Sequence, residues 1–187
     1  DYAYWEYVTA KDFPDAMEFL KDFSNVVVLR TFSKVYGLAG LRVGYGLARP
    51  EVTGFMERVR LPFNVNVLGQ VAATAALSDR AFVKRARVLN LQAMKFFERE
   101  LKRLKIPYWP SQGNFILIDV ESSFGIDGGV LYEACLRRGV IFRPVGNYGL
   151  KGALRISLGT MEENKRALKA LELELKLREG KLGRKRN

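Results

Sequence analysis

The chain has 187 residues, 48% of them hydrophobic, with 31 Lys and Arg against 20 Asp and Glu for a net charge of +11, one cysteine and no histidine. That length buries a sizeable core in one domain or two small ones, and no apolar run approaches the roughly 18 residues of a membrane span. The missing histidine excludes histidine-dependent triads and imidazole zinc sites, and a lone cysteine excludes an internal disulfide or a thiolate metal site.

The chain opens on Asp1 with no basic start and no apolar block, so it carries no signal-peptide pattern, and a cytoplasmic protein is expected. It also lacks an initiator methionine and begins in what reads as a strand exit, so a fragment is expected. Met17, Phe19, Leu20 and Phe23 space a short amphipathic helix over 15–23, and Val26 to Leu29 reads as a buried strand. Gly37, Gly40, Gly44 and Gly46 then break any regular element until a second short strand at Val43 to Leu47. Helix, strand, glycine-rich turn and strand suggest an α/β sheet with functional turns at strand ends.

A small-residue-rich helix is expected from Asn66 to Leu77. Asp79 caps a long helix with apolar positions at Phe82, Ala86, Leu89, Ala93, Phe97, Leu101 and Leu104. Three strand-like stretches follow, at Asn114 to Val120, Val140 to Arg143 and Ala153 to Leu158, around a helix near Gly129 to Arg138 that Gly139 ends and in which Cys135 is a packed thiol. The last helix opens on Thr160 and Glu163 in capping-box spacing and places Leu168, Leu171 and Leu175 on one face. This second layer is α+β, so the boundary is expected near Ser78, giving 1–78, 79–180 and a basic tail over 181–187. Six basic residues against one acidic in the last twelve leave a charge of +6 for the remainder, and such a tail reads more simply as a solvated end than as a nucleic-acid contact.

The informative stretch is Thr31 to Tyr45. Lys34 follows a buried strand between Phe32, Val35 and Tyr36, which are expected to shield its amine so that it acts as nucleophile or base. Arg42, the hydroxyls of Thr31 and Ser33 and the N–H groups of the turn form a candidate phosphate site. On these residues alone, a lysine and arginine on a solvated turn fits as well. Thr31 and Lys34 also have the nucleophile-x-x-Lys spacing of some acyl-transfer enzymes, but no Ser-Asp-Asn or Lys-Thr-Gly accompanies it.

The string TFSKVYGLAGLRVGY resembles the cofactor-lysine motif of fold-type I pyridoxal-phosphate (PLP) aminotransferases, in particular the histidinol-phosphate aminotransferase family. The resemblance extends upstream to DYAYWEY and downstream to LPFNVNVLGQVAATAAL, GNFILI, IFRP and LRISLGTMEEN. It implies the last part of a large PLP-binding domain followed by a smaller α+β domain. Lys34 would hold PLP as a Schiff base, Asp1 would pair with the pyridinium nitrogen, and Tyr4 would bond the phenolic oxygen. Ser33 and Arg42, with Thr31 beside them, would bind the phosphate. Arg155 would grip a substrate carboxylate, Arg143 a distal carboxylate or a phosphate, and Asn114 would line the same site. Read without the family, Asp1 is a solvated carboxylate, each arginine an ordinary salt bridge and Asn114 a turn cap.

The activity implied is transfer of an amino group between L-histidinol phosphate and 2-oxoglutarate, in histidine biosynthesis, by a homodimer acting on small amino and 2-oxo acids. The family's ring-stacking aromatic, its Asn-Pro-x-x-x-Thr-Gly stretch and its amino-terminal phosphate contacts do not occur in these residues. A PLP-dependent decarboxylase of a phosphorylated amino acid is the alternative within the cofactor class, and a basic nucleic-acid-binding module is the alternative outside it.

Overall fold

In the computed structural model, which describes residues 1–184 and their side chains through residue 178, capping residues start most helices where the sequence places them. Asp15 accepts from the N–H of Met17 to start α1 (Ala16–Asp22), and Asn66 accepts from Gly69 to start α3 (Val67–Ser78). Asp79 accepts from the N–H of Phe82 at 2.9 Å, inside the first turn of α4 (Arg80–Arg103). Asp127 accepts from Gly129 and Val130 to start α6 (Gly128–Leu136). A short α5 (Glu121–Phe124) precedes it. The capping box at Thr160 and Glu163 closes in both directions: Thr160 N–H donates to the Glu163 carboxylate at 2.7 Å and Glu163 N–H to the Thr160 hydroxyl at 3.3 Å, opening α7 (Met161–Arg184). One helix lies where the sequence pattern predicts none, between the second strand and Asn66. Pro50 stands at the first helical position of α2 (Pro50–Val59), a start signal that needs no donor from its nitrogen.

The chain divides into two compact units, Asp1–Arg87 and Val88–Asn187. In the first, β1 (Val27–Thr31) and β2 (Gly44–Ala48) form an antiparallel pair in which Thr31 faces Gly44 and Val27 faces Ala48. Phe32, Val43 and Ala73 make its small core, with Tyr36, Leu38, Leu41, Val65 and Ala76 packed around them. Gly69 lets α3 approach: a Cβ there would lie 2.5 Å from Val43 Cγ2 and 3.1 Å from the Leu41 carbonyl oxygen.

In the second unit, β3 (Tyr108–Trp109), β4 (Phe115–Asp119), β5 (Arg143–Val145) and β6 (Leu150–Ser157) form an antiparallel sheet in the order β3-β4-β6-β5. Strand alternation sends Ile116, Ile118, Leu154 and Ile156 into one core with Phe97 and Leu101 of α4, Leu131 and Cys135 of α6, and Leu168, Leu171 and Leu175 of α7. Cys135 is the packed thiol expected, and the three leucines of α7 are buried as their spacing requires. Phe82 and Leu89 of α4 are exposed, contrary to their periodicity, whereas Met94 and Phe96 join the core. Gly139 ends the α6 segment at φ 72, its N–H donating to Leu136.

Among the described residues no helix is long and apolar enough to cross a membrane. The last residues of the basic tail, 185–187, lie outside the described residues, and the side chains of 179–184 do as well.

Candidate functional site

Unit one gathers its chemistry at the carboxyl end of β1. Tyr2 N–H donates to the Leu29 carbonyl at 2.8 Å, tying the amino-terminal segment beside the strand. Tyr2 is buried and its ring stacks on Trp5 at 4.7 Å, and Arg30 of β1 bonds Glu6 at 2.6 Å with both side chains largely covered. These contacts place Tyr4 where the Lys34 Nζ sits 5.2 Å from its ring centroid, a cation–π distance. Asp1 is exposed, its Oδ1 accepting from the Ala3 N–H at 2.9 Å. Burial first, and then the negative charge of Glu6, raise the hydroxyls of Tyr7 and Tyr36 above the usual phenol range, so both stay protonated at neutral pH.

The turn itself is tight. Thr31 Oγ1 accepts from the Ser33 N–H at 3.1 Å, Gly37 N–H donates to Lys34 and Leu38 N–H to Phe32, and Asn66 Nδ2 donates to the Leu41 carbonyl at 2.9 Å. Arg42 holds left-handed backbone, φ 57 and ψ 49, which costs a non-glycine residue on the order of 1 kcal/mol or more. Its exposed guanidinium donates to the Ala39 carbonyl at 2.8 Å.

Two expectations need correction. Phe32 and Val35 turn into the core, and Lys34 is exposed, so its neighbours in sequence do not shield the amine. The N–H groups of Gly37, Leu38 and Leu41 bond carbonyls within the turn, so these three are not available as phosphate donors.

In unit two, the face opposite the core carries the arginines. Arg143 of β5 and Arg155 of β6 are direct cross-strand partners, and Leu117 of β4 and Trp109 of β3 continue the same row. Like charges on facing positions repel, and among the described residues neither arginine joins an ion pair. Among the described residues an ordinary salt bridge is therefore not what engages either arginine.

Arg155 lies with its guanidinium carbon 5.1 Å from the Phe115 ring centroid, and its Nε is buried without a hydrogen-bond partner. Arg143 Nη2 donates to the Tyr148 hydroxyl at 3.4 Å. Asn114 is half-buried at the head of β4, and its carbonyl accepts from Leu158 at 2.8 Å. Phe115 and Tyr148 stand beside these arginines without any motif that marks them in the sequence. Phe115 was discoverable, since alternation puts it on the same face as Leu117, one diagonal step from Arg155.

The arrangement offers a lysine amine beside a phenol in one unit, and an uncompensated pair of guanidiniums in the other. Amine and phenol suit an aldehyde-bearing aromatic cofactor, since the amine can attach to the aldehyde carbon and Tyr4 offers a donor to a ring oxygen. The guanidiniums suit an anion of more than one charge.

Comparison with known proteins gives a family and a fold. The model of the family "Aminotransferase class I and II" matches residues 1–171. A histidinol-phosphate aminotransferase of Anaeromyxobacter sp. (strain Fw109-5) is 52% identical over 171 residues, covering 91% of this chain and 46% of that protein. Among solved structures, the histidinol-phosphate aminotransferase of Sinorhizobium meliloti in complex with pyridoxal-5'-phosphate superposes with a TM-score of 0.79 at 30% identity, over 93% of this chain and 47% of that one. The L-threonine-O-3-phosphate decarboxylase of Porphyromonas gingivalis superposes with a TM-score of 0.78 at 25% identity, over 93% and 53%. The chain spans about half the length of the curated relatives it matches.

Proposed function

Because the chain belongs to the class I and II aminotransferases, we propose that the polypeptide carrying it uses PLP to move an amino group between L-histidinol phosphate and 2-oxoglutarate. The observation that carries this reading is the Lys34 amine at the end of β1, 5.2 Å from the ring of Tyr4. Bound PLP supplies an electron sink that lowers the cost of losing a proton from the substrate Cα.

The residues divide the remaining work. Lys34 would hold the cofactor through its amine, and its Nζ would take the substrate Cα proton and return it as an acid. Asp1 keeps the ring nitrogen protonated, and the Tyr4 hydroxyl donates to the ring oxygen. The hydroxyls of Thr31 and Ser33 and the Arg42 fork hold the phosphate, Arg42 exchanging its bond to Ala39 for the anion. Arg155 holds the carboxylate of the glutamate and 2-oxoglutarate pair and Arg143 helps with its distal carboxylate, the two forks together take the phosphate of the phosphorylated donor, and Asn114 lines the same face.

In this reading residues 1–78 are the end of the PLP-binding domain and 79–180 the small domain, and the working enzyme is a cytoplasmic homodimer. Exposed Phe55, Val59, Leu61 and Phe63 of the first unit support a further apolar partner surface.

The test is spectroscopic. The polypeptide carrying this chain, treated with PLP, should gain near-visible absorbance that Lys34→Ala abolishes while circular dichroism stays unchanged; absorbance surviving the substitution refutes the assignment. A second reading, decarboxylation of a phosphorylated amino acid, draws on the likeness to the Porphyromonas enzyme. Release of carbon dioxide from a phosphorylated amino acid would select it.

A further inference from the structure

The connection between β5 and β6 reaches back into the arginine face. A register shift at Pro144 and Val145 bends β5 at its end, and Val145 then pairs with Leu150. Gly146–Tyr148 between them form a 3-10 turn that Gly149 closes in left-handed conformation, φ 84. The turn brings the Tyr148 hydroxyl to 3.4 Å from Arg143 Nη2, while the residue stays 65% exposed.

A phenol accepting from a guanidinium keeps its own proton for another partner. Arg143 and Arg155 stand directly opposite each other with no carboxylate between them, so the favoured occupant of that face is an anion. A carboxylate has two oxygens, which one guanidinium fork can satisfy. A phosphate monoester presents three acceptor oxygens and close to two charges, enough for both forks and one more donor.

We propose that Tyr148 is that donor: its O–H bonds an oxygen of the phosphate group gripped by Arg143 and Arg155, and it favours phosphate over carboxylate ligands at this face. The inference rests on the anion-site reading of the two arginines. It does not depend on transamination, because its first readout is binding alone.

Inorganic phosphate and glutarate are titrated calorimetrically, at low ionic strength, into the unsubstituted chain and into Tyr148→Phe. One hydrogen bond to a charged group corresponds to at least about a ten-fold change in affinity, so Tyr148→Phe should bind phosphate about ten-fold more weakly, with glutarate within about two-fold. In the polypeptide carrying this chain, KM for the phosphorylated donor should rise by a similar factor with kcat within about two-fold.

Equal phosphate affinity in the two proteins overturns the proposal, and so does an unsubstituted chain that binds no phosphate. Equal loss of phosphate and glutarate overturns it too, since a hinge that merely shapes the turn would weaken both. Tyr148-dependent phosphate binding in a polypeptide without transaminase activity supports the donor and refutes the aminotransferase reading.

Discussion

Cys135 is fully buried on α6, and desolvation pushes its thiol up to about 11, with Glu174 adding to the shift. An unfolded thiol ionises near about 8.5. The native state therefore keeps a proton that the unfolded state releases. The stabilisation from this group is complete below that value and is lost as pH rises toward the folded one. Thiol-reactive dye at pH 8 should label the native protein slowly and at a rate that follows unfolding; rapid labelling of the native state would contradict the packing. Gly69 makes a second claim of the same kind. A methyl group there meets Val43 and the Leu41 carbonyl, so Gly69→Ala should destabilise the first unit by about 1–3 kcal/mol, read as a lowered denaturation midpoint. The site side chains followed their chemistry less closely than these two. Lys34 and both arginines were recognisable from motif and neighbours, but the exposure of Lys34 depends on Phe32 and Val35 turning inward, which no local pattern encodes.

Helix starts were readable because a cap is a contact between residues two or three apart. Asp127 bonds two N–H groups at once, and Asp127→Ala should cost α6 about 1 kcal/mol in urea denaturation. Hydrogen bonds from the Thr160 N–H and hydroxyl hold the Glu163 carboxyl below the usual carboxylate range. Its contribution is present above the unfolded value and lost as pH falls through the folded one, so Glu163→Gln should flatten the acid limb of a stability profile. The strand expected at Val140 to Arg143 shows where pattern misleads. Val140 and Phe142 are buried and Ile141 is 77% exposed, a strand-like alternation. Yet the N–H groups of Gly139 and Val140 bond Leu136 and Cys135 at the end of α6, so ladder pairing begins only at Arg143.

The two units differ in what holds them. The second has a four-stranded sheet with helices on one face and a continuous core. The first has a two-stranded sheet and one small buried cluster of Phe32, Val43 and Ala73, beside Phe63 at 96% exposure and exposed Val67, Leu68 and Val71. A lone strand pair is marginal in water, and clustered apolar side chains bind other surfaces. Hydrogen exchange should therefore leave the amides of Ile116, Ile118, Leu154 and Ile156 protected longest and those of Val27 to Thr31 exchanging earlier. Comparable protection of both sets would overturn this ranking.

Periodicity, caps and the lysine motif act over a few residues, and from them the order of most elements, the α+β character of the second unit and the family resemblance could be drawn. The pairing of Arg143 with Arg155, the Phe115 ring under one and the Tyr148 hydroxyl on the other depend on strand register and on a bulge. A shift of one residue would send those side chains to the opposite face, and register is settled by which residues the whole core buries, so only the folded chain resolves it.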